Sequence, residues 1–128
     1  MKKLLGMAVV ATLAFSVFTG QAMAGDAAKG EKVAKKCLAC HDVTAKKKKK
    51  VGPPLWNMAG AAAGQVEGFK YSTAMKAKAA EGLTWDDANL DQLLANPKKF
   101  MKGTKMAFPG LKKEADRANV IAFMKTLK

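Results

Sequence analysis

The sequence predicts a single, small, all-α domain, and three observations carry that expectation. No stretch sustains the apolar–polar alternation of a half-buried strand. The segment Ala27–Cys40 is rich in the helix formers Ala, Lys and Glu. Near the other end, Glu114–Leu127 sets Val120, Phe123, Met124 and Leu127 on one apolar stripe at helical spacing.

The elements follow in order. Asp26 is placed to cap a helix over Ala27–Cys40. Lys46–Lys50 is an unbroken run of like charges, which repel one another and belong on a solvated loop. Gly52-Pro53-Pro54 forces a turn or an extended path. Small residues and repeated glycine mark Ala59–Gly68 as a close-packed irregular segment, and Tyr71–Ala80 as a short helix follows it. Thr84-Trp85-Asp86-Asp87 has the form of a capping box, opening a helix with Leu90, Leu93 and Leu94 on one face. Asn96-Pro97 stops that helix and starts a brief turn through Phe100. Gly103, Pro109 and Gly110 keep Gly103–Gly110 non-helical. Glu114 and Asp116 then favour the N-terminal end of the last helix dipole. No internal repeat is evident.

The first residues stand apart from this domain. Lys2 and Lys3 precede an apolar run from Leu4 to Phe18, which closes on Gln21-Ala22-Met23-Ala24. Ala22 and Ala24 satisfy the small-x-small rule of a signal peptidase site, and the run is shorter than a membrane span. Residues 1–24 are therefore expected to be a cleaved signal peptide, leaving residues 25–128 as one domain in the periplasm. A chain that short has little core of its own, which a large apolar cofactor would supplement. The formal net charge of +13 falls to +11 once Lys2 and Lys3 are removed. Such a charge suits acidic proteins, anionic membrane surfaces or nucleic acid, and export argues against the last. Membrane contact is at most peripheral, and the charge and size favour a monomer.

Cys37-Leu38-Ala39-Cys40-His41 carries the chemistry. In the C-x-x-C-H pattern two thiols reach one porphyrin edge, and the adjacent His becomes the proximal iron ligand. One haem c, covalently attached through Cys37 and Cys40, is the expected cofactor. A thioredoxin-like pair would want a strand before the motif. A zinc site would need further ligands beyond Cys37, Cys40 and His41, and a plain disulfide would leave His41 unexplained. His41 is the only histidine, and no third cysteine exists. The second axial ligand is then a methionine, from Met58, Met75, Met101, Met106 and Met124. Met124 fits the core stripe of the last helix. Met58, Met75 and Met101 have no chemical distinction, and Met106 is favoured because an irregular loop can present a side chain to a flat cofactor.

Several segments together resemble the small class I cytochromes c, close to mitochondrial cytochrome c and bacterial periplasmic cytochrome c2. They are Gly30-Glu31-Lys32-Val33 before the haem motif, Val51-Gly52-Pro53-Pro54-Leu55, Gly82-Leu83-Thr84-Trp85, Asn96-Pro97-Lys98-Lys99-Phe100 and Gly103-Thr104-Lys105-Met106-Ala107-Phe108-Pro109-Gly110. The resemblance spans Gly25–Lys128 and implies the class I fold wrapped around one haem. It implies Met106 as distal ligand, a Pro53 carbonyl accepting from His41, and Tyr71 and Trp85 donating to haem propionates. Gly30 and Phe123 match the crossing of the first and last helices. The implied function is single-electron transport, Fe(III) to Fe(II) and back, rather than enzymatic turnover. A quinol–cytochrome c reductase is the implied donor, and an oxidase, reductase or photosynthetic reaction centre the acceptor. Lys36, Lys98, Lys99, Lys105 and Lys112 are the implied docking lysines on that resemblance.

The chain also departs from the family pattern. Ala34 replaces a phenylalanine, and one residue is missing before Cys37. Ala61 stands for an arginine, Leu93 for a tyrosine beside the Met sulfur and Met75 for an asparagine, with three extra residues between Met75 and Trp85. Leu93 gives some motive for a gas- or peroxide-binding protein in which Met106 leaves the iron. A basic surface-binding module with a structural haem is a further reading, and Lys46–Lys50 could serve it.

Overall fold

The computed structural model describes residues 24–128; the expected signal peptide, but for Ala24, lies outside the described residues. Five α-helices carry the fold: α1 (Ala27–Ala34), α2 (Thr73–Ala80), α3 (Asp87–Ala95), α4 (Pro97–Phe100) and α5 (Glu114–Met124). Among the described residues there is no strand, only an isolated bridge between Ala62 and Thr84. No described helix is long and apolar enough to cross a membrane.

Asp26 caps α1 by accepting from the Lys29 amide at 3.1 Å. The helix is shorter than its composition suggests. It ends at Ala34, gives way to a 3₁₀ turn over Lys35–Cys37, and turns on through Cys40. The Cys37 carbonyl accepts from both Cys40 and His41, at 3.1 and 2.9 Å. That tightening redirects the chain at the haem motif, a common use of a 3₁₀ ending.

α2 begins at Thr73 rather than Tyr71, with Ser72 as its cap accepting from the Met75 amide at 3.1 Å. Gly82, at φ +87°, donates to Ala79 at 3.0 Å, and Leu83 donates to Lys78 at 3.1 Å. Thr84 does not cap α3. It is held extended opposite Ala62, because Trp85 donates to Ala61 and Ala63 donates to Leu83, both at 2.8 Å. Asp86 is the cap instead, accepting from Asn89 at 2.8 Å. Asn96 ends α3 and caps α4 with Pro97 in its first turn.

The last helix stops at Met124, three residues before the end of its apolar stripe. Leu127 remains buried in the following turn, where its carbonyl accepts from Asn57 at 2.7 Å. Contact with another segment has taken the place of one more helical turn. α1 and α3 both pack on α5. Trp85, Leu90, Leu94, Met101, Val120 and Met124 form the centre of the core.

Candidate haem site

The core is open on one side. Trp85, Leu90, Leu94, Val120 and Met124 are core residues and also line a cavity of ≈ 310 Å³. Protein interiors are close-packed and hold few voids larger than a water molecule. A hollow of this size, walled by core side chains, fits an apolar group that completes the interior.

One wall brings together Cys37, Cys40 and His41. Both cysteines are free thiols rather than a disulfide. Burial pushes the Cys37 thiol above its ordinary pKa, aided by Cys40 and opposed by Lys36. His41 Nδ1–H donates to the Pro53 carbonyl at 2.6 Å. A carbonyl can only accept, so the proton sits on Nδ1 and Nε2 keeps its lone pair. Burial lowers the imidazole pKa, the Pro53 bond opposes that shift, and Lys50 adds to it. The neutral ring that can bind a metal is thereby favoured. Among the described residues no group of three or more His, Cys, Asp or Glu side chains gathers as a metal cluster.

Gly52, which the sequence marked only as part of the Gly-Pro-Pro segment, also constrains the imidazole ring. A Cβ on it would strike the imidazole, at 2.7 Å from Nδ1 and 2.9 Å from Nε2. Its amide also donates to Cys40 at 2.7 Å, tying the Gly-Pro segment to the motif. The only hint in the sequence is that glycine directly precedes Pro53.

The cavity also meets Thr104, Lys105, Met106 and Phe108 of the loop between α4 and α5. Met106 is half-buried, and its amide donates to Thr104 Oγ1 at 3.2 Å. Met58, Met75 and Met124 line the same cavity, whereas Met101 is 1% exposed and sits in the core away from it. Four methionines thus reach the hollow: Met75 from α2, Met124 from α5, and Met58 and Met106 from non-helical segments.

Tyr71 lines the cavity with its hydroxyl oxygen accepting from Val66 N at 3.0 Å, which leaves the phenolic proton free to donate. Burial raises its pKa, while the Val66 bond works the other way. Trp85 is 4% exposed and lines the cavity too. Of the five lysines singled out for docking, Lys36 and Lys105 border the cavity, while Lys98, Lys99 and Lys112 are exposed elsewhere. Leu93 and Met75, which stand for polar residues in the family pattern, both line the hollow and make it more apolar.

A family model described as Cytochrome c matches residues 27–128. The chain belongs to the cytochrome c family. It is 53% identical over 103 residues to cytochrome c2 of Rhodomicrobium vannielii, covering 80% of each chain. It is 45% identical over 125 residues to cytochrome c-554 of Methylosinus trichosporium, covering 97% of this chain and 92% of the relative. Cytochrome cH from Methylobacterium extorquens superposes with a TM-score of 0.72 at 47% identity, covering 80% of this chain and 99% of that one. Its fold is the helical class I cytochrome c fold, and its role is electron carriage rather than enzymatic turnover. Members of this family bind haem c covalently through cysteine, and Cys37 and Cys40 are present at the matching spacing.

Proposed function

We propose that residues 25–128, released from a signal peptide at residues 1–24, form a monomeric periplasmic carrier that shuttles single electrons from a quinol–cytochrome c reductase to an oxidase, a reductase or a photosynthetic reaction centre. The observation that carries this reading is the His41–Pro53 hydrogen bond of 2.6 Å, which places the neutral ring's proton on Nδ1 and its Nε2 lone pair in the cavity that Cys37, Cys40 and Met106 also line. Haem c, bound through Cys37 and Cys40, supplies the Fe(III)/Fe(II) couple.

The chain's own residues supply the rest. His41 and Met106 would hold the iron, and Pro53 fixes the imidazole orientation and raises its basicity. Tyr71 and Trp85 would hold the propionates by donating to them. The apolar lining from Leu90, Leu93, Leu94 and Phe108 keeps water out, so little solvent reorganises when the charge changes. Absorption spectra of the purified protein test this reading. Narrow reduced bands of low-spin haem c and a ferric sulfur-to-iron band are expected. Replacing Met106 by alanine should abolish the ferric band, and its persistence would assign the ligand elsewhere.

Lys36, Lys98, Lys99, Lys105 and Lys112 steer the carrier onto acidic partner surfaces. Raising ionic strength from ~0.01 M to ~0.15 M shortens the screening length from ~30 Å to ~8 Å. Electron exchange with an acidic partner should then slow by about tenfold in stopped-flow measurements. A rate independent of salt would remove electrostatic steering.

A further inference from the structure

The chain carries 23 basic residues, and Arg117 is the only arginine. It lies on α5 with a side chain 14% exposed. Its Nε donates to Asp91 Oδ1 on α3 at 2.6 Å. Its Nη1 donates to the Leu111 carbonyl at 2.9 Å and the Lys112 carbonyl at 3.1 Å. Three acceptors on two segments are thus held by one planar fork. Lysine, a single ammonium on a flexible stem, cannot reproduce that geometry.

Those two carbonyls form the far foot of the segment that carries Met106. Residues 104–113 have no regular secondary structure, so anchors at the two feet fix the path of the segment. At the near foot, Thr104 donates to Met101 at 3.0 Å and accepts from Met106 N. At the far foot, Leu111 donates to Leu94 at 2.7 Å, and Gly110, at φ +104°, lies against the Ala95 carbonyl. Arg117 closes this foot by joining it to α3 and α5 together.

We infer that Arg117 is a positioning residue for Met106: by clamping Leu111 and Lys112 it holds the loop down and limits how often the sulfur leaves the iron. This inference rests on Met106 being the distal ligand. It gives the one arginine of a lysine-rich chain a part in electron carriage, because a ligand that stays in place keeps reorganisation small. Asp91 supports the clamp by orienting the guanidinium from the opposite side.

The test uses the haem-loaded ferric protein and saturating imidazole, whose entry must wait for Met106 to depart. Arg117→Lys is expected to speed entry by about tenfold, a size in keeping with losing charge-assisted hydrogen bonds at a half-buried site. Asp91→Asn keeps both carbonyl bonds and should speed entry about threefold. It also serves if Arg117→Lys fails to fold. Val33→Ala, on α1 and outside the cavity lining, is the control for general destabilisation: its entry rate should stay near the native one even where guanidinium unfolding shows a similar loss of stability. Unchanged entry in both clamp variants overturns the inference, as does a rate that merely follows global stability across all three. Absence of the ferric sulfur-to-iron band from the native protein, or its survival in Met106→Ala, overturns the ligand assignment and the clamp with it. A native band with unmoved entry rates removes the clamp alone.

Discussion

Gly52→Ala is expected to cost the haem-loaded protein ~2–6 kcal/mol of stability and to disturb its low-spin spectrum. A Cβ at this position would overlap the His41 ring, with Nδ1 at 2.7 Å and Nε2 at 2.9 Å. Neither side can yield easily. The ring is held by its 2.6 Å bond to Pro53, and the Gly52 amide is held by its 2.7 Å bond to the Cys40 carbonyl. Overpacking of this kind costs ~1–3 kcal/mol. Turning the ring away would also forfeit the Pro53 bond and leave a buried donor unpaired, a further ~1–3 kcal/mol. Guanidinium unfolding and absorption spectra of the purified variant measure both effects. Stability within ~0.5 kcal/mol of native, with an unchanged spectrum, would show that the Gly52–His41 approach is looser than this geometry requires. The general fragility of a tight turn does not explain the effect, because the substitution acts on the one imidazole the chain possesses.

Gly52 also marks the limit of what the sequence could reveal. Local chemistry announced Asp26 as a cap, Asn96-Pro97 as a helix boundary, and Val120, Met124 and Leu127 as buried, while Phe123 of the same stripe is half-buried and Ile121, outside it, is buried. Each of those signals depends on residues within a turn or two of one another. The shift of the cap from Thr84 to Asp86 and the departure of Leu127 from α5 depend on partners far along the chain. Thr84 illustrates this well: its sequence is that of a cap, but pairing with Ala62 leaves it extended. For the site, Cys37, Cys40 and His41 are legible because covalent attachment demands a fixed spacing. Of the five methionines, chemistry set Met124 aside as core and favoured Met106 for its irregular loop, and the resemblance then singled out Met106. The support given by Thr104 Oγ1 and the Arg117 fork appears in no local pattern, since both act on backbone groups whose positions only the fold determines.

Gly30→Ala should destabilise the protein by ~2 kcal/mol, although helix propensity alone predicts the opposite sign. Within a helix, alanine is favoured over glycine by ~0.5–1 kcal/mol, and Gly30 lies inside α1. Its missing side chain, however, faces α5. A Cβ there would collide with the Asn119 carbonyl and come within 3.0 Å of Phe123 Cβ. A backbone carbonyl inside α5 cannot swing aside as a flexible side chain could, so the helices must separate. The same crossing is pinned by Asn119 Oδ1, which accepts from Asp26 N at 2.8 Å, the residue that caps α1. Separation therefore strains the cap as well as the packing, and an overpacking cost of ~1–3 kcal/mol plus the loss of that bond exceeds the propensity gain. For a domain of about 100 residues, ~2 kcal/mol lowers Tm by ~8–16 °C, which a calorimetric scan of the haem-loaded variant resolves. A rise in Tm would mean that α1 and α5 do not cross at Gly30. The consequence reaches the redox site because Val120, Phe123 and Met124 of α5 line the haem cavity. An α5 pushed outward by one methyl group enlarges that cavity and loosens its seal against water.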